Sequence, residues 1–151
     1  MISTTAERVP QHTSECVNEQ IRETMEKNIL YSAARGAEAI SRRIAELEQE
    51  WDIERTLEAN AAAVSLAGMV LGVTVSRKWF ALPAIAGGFL LQHAIEGWCP
   101  PVSVFRRLGF RTQTEIERER YALKALRGDF RDVPAGEGHS AAADAINAAS
   151  R

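Results

Sequence analysis

The chain has 151 residues, with 18 Lys and Arg against 20 Asp and Glu, and a formal charge of −2. Its length suits one compact domain at most. Its net charge is close to zero, which argues against a protein that binds nucleic acid through an overall positive charge. The two cysteines allow a single intramolecular pair, which excludes a disulfide-stapled mini-domain, and the polar N-terminus predicts that no cleavable signal peptide is present.

Residues 1–13 are predicted to be flexible, and residues 14–57 to form a polar, amphipathic helical arm. Thr13 or Ser14 can cap the first helix of this arm, and Gly36 is expected to interrupt it because glycine weakens a helix interior. The helix after Gly36 has apolar residues at steps of three and four, which predicts a stripe that packs on another helix or on the bilayer surface. The stripe consists of Ala37, Ile40, Ile44, Leu47 and Trp51.

Residues 58–98 are predicted to be a transmembrane helical hairpin. After position 58 this region contains only three charged residues, Arg77, Lys78 and Glu96. A spanning helix needs about 20 mostly apolar residues to cross about 30 Å of hydrocarbon, and the uncharged stretches on either side of Arg77-Lys78 approach that length. The predicted spans are residues 59–76 and 79–98.

Tryptophan and basic residues flank the two predicted spans. Aromatic rings concentrate at membrane–water interfaces, and long basic side chains extend to the headgroups. The residues predicted to lie at the interface are Trp51, Arg77, Lys78, Trp79 and Trp98. The alternative interpretation of this region is a soluble helical scaffold in which the hairpin is buried.

Residues 99–130 are predicted to form a basic membrane-proximal segment followed by a helix. The two prolines at 100–101 are expected to end the second span, because neither supplies a helix N–H. A capping box at residues 112–115 begins the next helix, and Gly128 is a natural C-cap. The remainder, residues 131–151, is rich in Ala, Gly and Ser and is predicted to be a disordered tail.

The orientation follows from the distribution of basic residues. They are more numerous on the side of the two termini than in the turn between the spans, so the positive-inside rule places both termini in the cytoplasm. The predicted fold class is therefore all-α, a two-span transmembrane helical hairpin with amphipathic helical arms on the cytoplasmic side.

The end of the second span resembles a known family. Residues 97–101 read Gly-Trp-Cys-Pro-Pro, and Leu108 and Gly109 follow. This pattern resembles the two-helix membrane domain of YgaP-like bacterial inner-membrane proteins, in which a hairpin of short apolar helices ends in a Gly-x-Cys-Pro signature. The resemblance covers about residues 53–111 and implies a location in the bacterial inner (cytoplasmic) membrane.

The same resemblance implies little about a reaction, because the family's membrane domain has no known function. Some members carry a rhodanese domain, which this chain lacks, so the chain looks like a stand-alone form. A rhodanese-type sulfurtransferase is thereby one candidate partner.

Small residues recur in both predicted spans. A G-x-x-x-G step lets helix backbones approach closely, which favours helix association in a bilayer. Two interpretations stay open, namely packing within the hairpin and formation of a homo-oligomer. The residues predicted to pack helices are Ser65, Gly68, Gly72, Ser76, Ala84, Gly87 and Gly88.

Cys99 is the strongest candidate in the sequence for a residue with a chemical role. Arg106 and Arg107 follow it closely, and nearby cations favour the thiolate, so a persulfide relay through Cys99 is one hypothesis. Ordinary packing of a small interfacial cysteine is the other. His93, Glu96 and Cys99 recur every three residues and are candidate metal ligands, although one helix supplies too few ligands by itself.

Three basic residues after the second span, Arg106, Arg107 and Arg111, are predicted to contact anionic lipid or the acidic N-terminal arm. Basic residues outnumber acidic ones in residues 97–127, whereas the reverse holds in residues 1–58. The sequence contains no nucleotide-binding loop, zinc quartet or catalytic triad, so no cofactor and no enzymatic activity are expected.

The function predicted from the sequence is that of a small integral membrane protein, an oligomeric interaction module or accessory subunit of a membrane complex. Its expected partners are the lipid bilayer and a second copy of the chain or another membrane protein. A sulfur-handling role for Cys99 and a soluble scaffold are the alternatives.

Overall fold

The computed structural model of the chain describes residues 5–131, together with Asp144 and Ala148. Within this part of the chain there are seven α-helices, one 3₁₀-helix and no strand, which confirms the all-α prediction. Most of the predicted tail, residues 131–151, lies outside the described residues. The helices are α1 (Thr5–Gln11), α2 (Glu15–Arg35), α3 (Ala37–Gln49), α4 (Ile53–Thr74), the 3₁₀-helix (Arg77–Phe80), α5 (Ala81–Glu96), α6 (Pro100–Arg107) and α7 (Gln113–Arg127).

The chain divides into two compact units. Unit 1 consists of residues 1–22 and 51–115, and unit 2 consists of residues 23–50 and 116–151. Two of the three boundaries fall inside α2 and α7, and the third falls between α3 and α4. The predicted N-terminal arm and the predicted C-terminal segment therefore each contribute to both units.

Unit 1 is built on a helical hairpin formed by α4, the 3₁₀-helix and α5. Asp52 caps α4 by accepting a hydrogen bond from the backbone N–H of Arg55 at 2.6 Å. Gly97, in the left-handed conformation with φ of 72°, ends α5. The prediction that prolines end this helix is therefore wrong, because Pro100 and Pro101 instead begin α6, where a missing N–H leaves no hydrogen bond unmade.

Among the described residues, one helical stretch is long and apolar enough to cross a membrane. It lies within residues 37–74, and 22% of its most apolar segment is buried inside the protein. Its uncharged part is residues 59–74 of α4, because Glu54, Arg55 and Glu58 precede them in that helix. The sequence predicted two such spans. The second fails the length requirement because α5 has only 16 residues, about 24 Å at 1.5 Å per residue.

The core of unit 1 lies at the open end of the hairpin. Val9 of α1 is only 2% exposed and packs there with Ile53, Leu57, Cys99 and Val102. Part of the predicted flexible N-terminus, Thr5–Gln11, is therefore helical, and Val9 packs this helix on the core of unit 1.

Unit 2 has a separate core between α3 and α7. Ile40, Ile44 and Leu47 of α3 pack with Ile116 and Leu123 of α7. Three of the five predicted stripe residues thus pack on another helix, whereas Ala37 and Trp51 are exposed. The predicted break before α3 is confirmed, since Gly36 separates α2 from α3 with φ of 87°.

Candidate functional site

The outward surface of the hairpin is apolar and uncovered. Its exposed side chains come from both α4 and α5; Val73 is 77% exposed, and Leu66 and Ile95 are each 68% exposed. Continuous exposed apolar surface on a water-soluble monomer is rare and marks a contact with lipid or another protein. Further exposed apolar residues of the hairpin are Val64, Met69, Val70, Val75, Ile85 and Leu91.

Two of the predicted packing glycines lie inside the hairpin. A Cβ atom added at Gly68 would lie 2.5 Å from Cδ of Pro83 and 2.8 Å from Cβ of Leu82, and one added at Gly72 would lie 2.7 Å from the ring of Phe80. These glycines therefore let α4 approach the 3₁₀-helix and the first turn of α5 closely. Their role is close packing within the hairpin.

The other small residues are distributed differently. Gly87 and Gly88 of α5 have no atom within 4 Å of an added Cβ, and Ala84 is exposed on the same helix. Ser65 is half-buried, and Ser76 caps the 3₁₀-helix by accepting from the backbone N–H of Lys78 at 3.5 Å. Among the predicted packing residues, those on α5 therefore lie on a face that is open to another molecule.

The residues predicted at the membrane interface lie at the two ends of the hairpin. Arg77, Lys78 and Trp79 form the exposed turn. At the opposite end the indole N–H of Trp98 donates to Oγ of Ser103 at 3.1 Å. Trp51, also at this end, is exposed and stacks under the guanidinium of Arg55, whose Cζ lies 4.4 Å from the ring centroid.

Arg106 is buried, so the prediction that it contacts lipid is wrong. It is 1% exposed, and its guanidinium donates to both carboxylate oxygens of Glu115 at 2.6 and 2.9 Å and to Oδ1 of Asn18 at 2.9 Å. Its contact with the N-terminal arm is therefore to an amide and not to an acidic residue. Arg111 is also buried, and only Arg107 is exposed.

Glu115 is the main partner of Arg106 and also forms the predicted capping box. The backbone N–H of Thr112 donates to Glu115 Oε2 at 2.8 Å, and Oγ1 of Thr112 accepts from the backbone N–H of Glu115 at 3.3 Å. Burial acts to raise the pKa of Glu115, but the hydrogen bonds from Arg106 and Thr112 outweigh burial, so the pKa lies below its ordinary value.

Cys99 is enclosed in the core of unit 1 and has no exposed surface. Burial raises the pKa of its thiol, and the carboxylate of Glu54 raises it further, although the backbone N–H of Val102 opposes them. Burial thus works against the thiolate predicted from the nearby arginines, and the guanidinium of Arg106 pairs with Glu115 rather than with Cys99.

The three candidate metal ligands do not converge. Nε2 of His93 lies 2.6 Å from Oε2 of Glu54, and Glu96 accepts a hydrogen bond from the amide of Gln92 at 3.1 Å. Over residues 5–131, no group of three or more His, Cys, Asp and Glu side chains is arranged to hold a metal ion. The His93–Glu54 contact joins the last turn of α5 to the first turn of α4, and no local sequence pattern predicts a pair 39 residues apart.

Comparison with known proteins finds no match to this chain among family models, curated proteins or solved structures. The resemblance to YgaP-like proteins, carried by residues 97–101 and their neighbours, therefore stays a prediction.

Proposed function

We propose that this chain is a small integral membrane protein whose α4–α5 hairpin is inserted in the bilayer. The observation that carries the proposal is the exposed apolar surface on both limbs of the hairpin, in a region with no charge between Ala59 and Ser76. In water this surface would expose many large apolar side chains. In hydrocarbon the same side chains meet an apolar solvent, and the helix backbones are satisfied internally.

The lengths of the two limbs suit this proposal. α4 has 22 residues and is about 33 Å long. α5 alone is too short, but the four-residue 3₁₀-helix continues directly into it, and together they reach about 32 Å. Arg77 and Lys78 would then lie at the far interface, where their side chains reach the headgroups.

We further propose that the polar helices act as an interaction module without catalysis, on the cytoplasmic side of the bacterial inner membrane. The excess of basic residues near the open end of the hairpin and the resemblance to YgaP-like proteins support this orientation. The partner is a second copy or another membrane protein, and the open face of α5 at Gly87 and Gly88 is available to either.

Membrane fractionation of the full chain tests the insertion. Leu66 lies near the centre of α4 and is 68% exposed, and Leu30 of α2 is a matched control at 70%. A charged residue at the centre of a spanning helix costs about 2.5–3.5 kcal/mol on insertion. We expect Leu66→Arg to reduce the carbonate-resistant membrane fraction strongly and Leu30→Arg to leave it unchanged. A wild-type chain that stays monodisperse in buffer without detergent would overturn the proposal in favour of the soluble scaffold.

Labelling from outside intact cells tests the crossing of both limbs. In a Cys16→Ser background, a cysteine introduced at the turn by Lys78→Cys should react with a membrane-impermeant maleimide added to cells with a permeabilised outer membrane. The wild-type Cys16, which is exposed on α2, should react only after lysis. Protection of the turn in intact cells would contradict a two-way crossing.

A further inference from the structure

The short helix α6 follows the open end of the hairpin in unit 1 and has one buried side and one outward side. Val102 and Arg106 are each only 1% exposed and form the buried side. Val104 and Leu108, one turn apart on the opposite side, are 56% and 69% exposed. The outward side of α6 therefore presents two large apolar side chains next to the apolar surface of the hairpin.

The polarity of this outward side changes steadily around the helix. Successive residues of an α-helix lie about 100° apart around its axis, which fixes their order across the outward side. From one edge to the other the residues are Phe105, Leu108, Val104, Arg107 and Ser103. The outward side therefore has an apolar edge at Phe105 and a polar edge at Arg107 and Ser103, with the exposed pair between them.

The apolar edge of α6 faces the turn of the hairpin. Pro101 and Phe105 line one end of a groove whose other walls belong to α4 and α5. These walls include Val64, halfway along α4, and Leu82, in the first turn of α5. The apolar edge of α6 thus points along the hairpin towards its turn, and the polar edge points away from the turn.

The polar edge carries the side chains that are typical of a headgroup region. The indole N–H of Trp98 donates to Oγ of Ser103 at 3.1 Å, so this ring lies beside the polar edge. Arg107 is exposed and has no ion pair within the described part of the chain. Tryptophan rings concentrate at membrane–water interfaces, and exposed cations are attracted to anionic headgroups.

We infer that α6 lies in the plane of the membrane interface as a second lipid contact of unit 1. Leu108 and Val104 would rest on the boundary between acyl chains and headgroups, and Arg107 would contact anionic phosphates. The inference rests on the proposed insertion of the hairpin. Lipid is favoured over a protein partner because the change from apolar to polar around α6 runs in the same direction as the path from hydrocarbon to water.

Spin-label accessibility in nanodiscs tests this placement in the full-length chain. In a Cys16→Ser background, a nitroxide is attached at Val104→Cys or at Leu108→Cys, and its collisions with oxygen and with a neutral, water-soluble nickel chelate are measured. A label on the exposed wild-type Cys16 is the reference for water, and one at Leu66→Cys is the reference for hydrocarbon. We expect both α6 labels to collide with the nickel chelate several-fold less often than the Cys16 label, and more often with oxygen.

A pair of variants at Arg107 tests the contact with anionic headgroups. The label at Leu108→Cys is compared between nanodiscs of phosphatidylcholine and nanodiscs that also contain phosphatidylglycerol. With Arg107 present, we expect phosphatidylglycerol to lower the collision rate with the nickel chelate, because the helix is held deeper. Arg107→Gln should remove this difference, and Arg107→Lys, which keeps the charge, should retain it. An undiminished difference in Arg107→Gln would overturn the headgroup contact.

The outcomes separate this inference from the proposed function. Labels on α6 that are as open to the nickel chelate as Cys16, with Leu66 shielded, would overturn the interfacial helix and leave the insertion intact. A label at Leu66 that is open to the chelate would overturn both. Shielding of the α6 labels from oxygen as well as from nickel would show that a second copy of the chain covers α6, which overturns the lipid contact. Both α6 positions are exposed, so the labels need no space in the core.

Discussion

Single residues at the open end of the hairpin hold unit 1 together. The guanidinium of Arg106 contacts Glu115 at the start of α7, Asn18 of α2 and the backbone carbonyl of Phe110 at 3.3 Å. Removing one partner of a buried ion pair costs about 3–5 kcal/mol, because the remaining charge stays buried without compensation. Arg106 is therefore a structural residue, and its basic neighbour Arg107 is the one left for an external partner.

The lowered pKa of Glu115 predicts that unit 1 loses stability in acid. Burial acts to raise this pKa, but Arg106 and Thr112 lower it below the unfolded value of about 4.3, so the unfolded chain binds the proton more tightly. The stabilisation is complete above the unfolded pKa and is lost as the pH falls through the folded pKa. We expect urea unfolding in detergent, followed by tryptophan fluorescence, to show a falling free energy of unfolding below about pH 5.

All three tryptophans lie in unit 1, so tryptophan fluorescence reports on the unit that contains Glu115. The Glu115→Gln variant should be less stable at neutral pH and should show a weaker pH dependence over the acid range. Glu38→Gln, at an exposed position of unit 2, is the control. Equal acid dependence in the wild type and in Glu115→Gln would contradict the assignment.

The two cysteines should differ strongly in reactivity. Cys16 is exposed and Cys99 is buried with a raised thiol pKa, and the thiolate is the reactive form. In native conditions a maleimide should modify the Cys99→Ser variant rapidly and the Cys16→Ser variant only after denaturant is added. Mass spectrometry of the alkylated protein measures both rates. Comparable native rates would restore the sulfur-handling hypothesis for Cys99.

At the scale of helices, the hairpin depends on the close approach of α4 to the return limb. Gly68→Ala places a methyl group against the ring of Pro83 and against Leu82, so the limbs must separate. We expect this variant to lower the free energy of unfolding by about 1–3 kcal/mol, as overpacking does in other cores. Unfolding by sodium dodecyl sulfate in mixed micelles, followed by circular dichroism, gives the value.

Gly87→Ala is the matched control for this prediction. Its added methyl group meets no atom within 4 Å, and alanine favours a helix more than glycine does, so stability should stay the same or rise slightly. The same variant tests the open face of α5. A change in oligomeric state without a loss of hairpin stability would place a partner at Gly87, whereas equal destabilisation by both variants would contradict the packing assignment for Gly68.

At the scale of the whole molecule, the two units differ in the surface that they expose. Unit 2 buries the apolar stripe of α3 against α7, and its outer side chains are largely polar. Unit 1 has a core at the open end of the hairpin but leaves the outward residues of α4 and α5 uncovered. Since the hairpin buries little of its own apolar surface, its stability depends on what surrounds it, and a bilayer is the solvent that we propose.

The sequence by itself determined the features that depend on neighbouring residues. Helical periodicity predicted the stripe of α3, Gly36 predicted the break before it, and the capping box and Gly128 predicted both ends of α7. The uncharged region predicted one candidate span correctly. These signals are readable because caps, turns and helix faces involve residues within about four positions of one another.

Only the tertiary structure decided which of the predicted site residues are accessible. Arg106 contacts Asn18, which is 88 positions away in the sequence, and His93 contacts Glu54, which is 39 positions away. No local sequence pattern predicts either contact. Cys99 became a core residue because α1 and α4 pack over it, and charge counts near a cysteine say nothing about such packing. Burial depends on contacts between segments that are distant in the sequence. Residues that the sequence marked as candidates for chemistry therefore have structural roles.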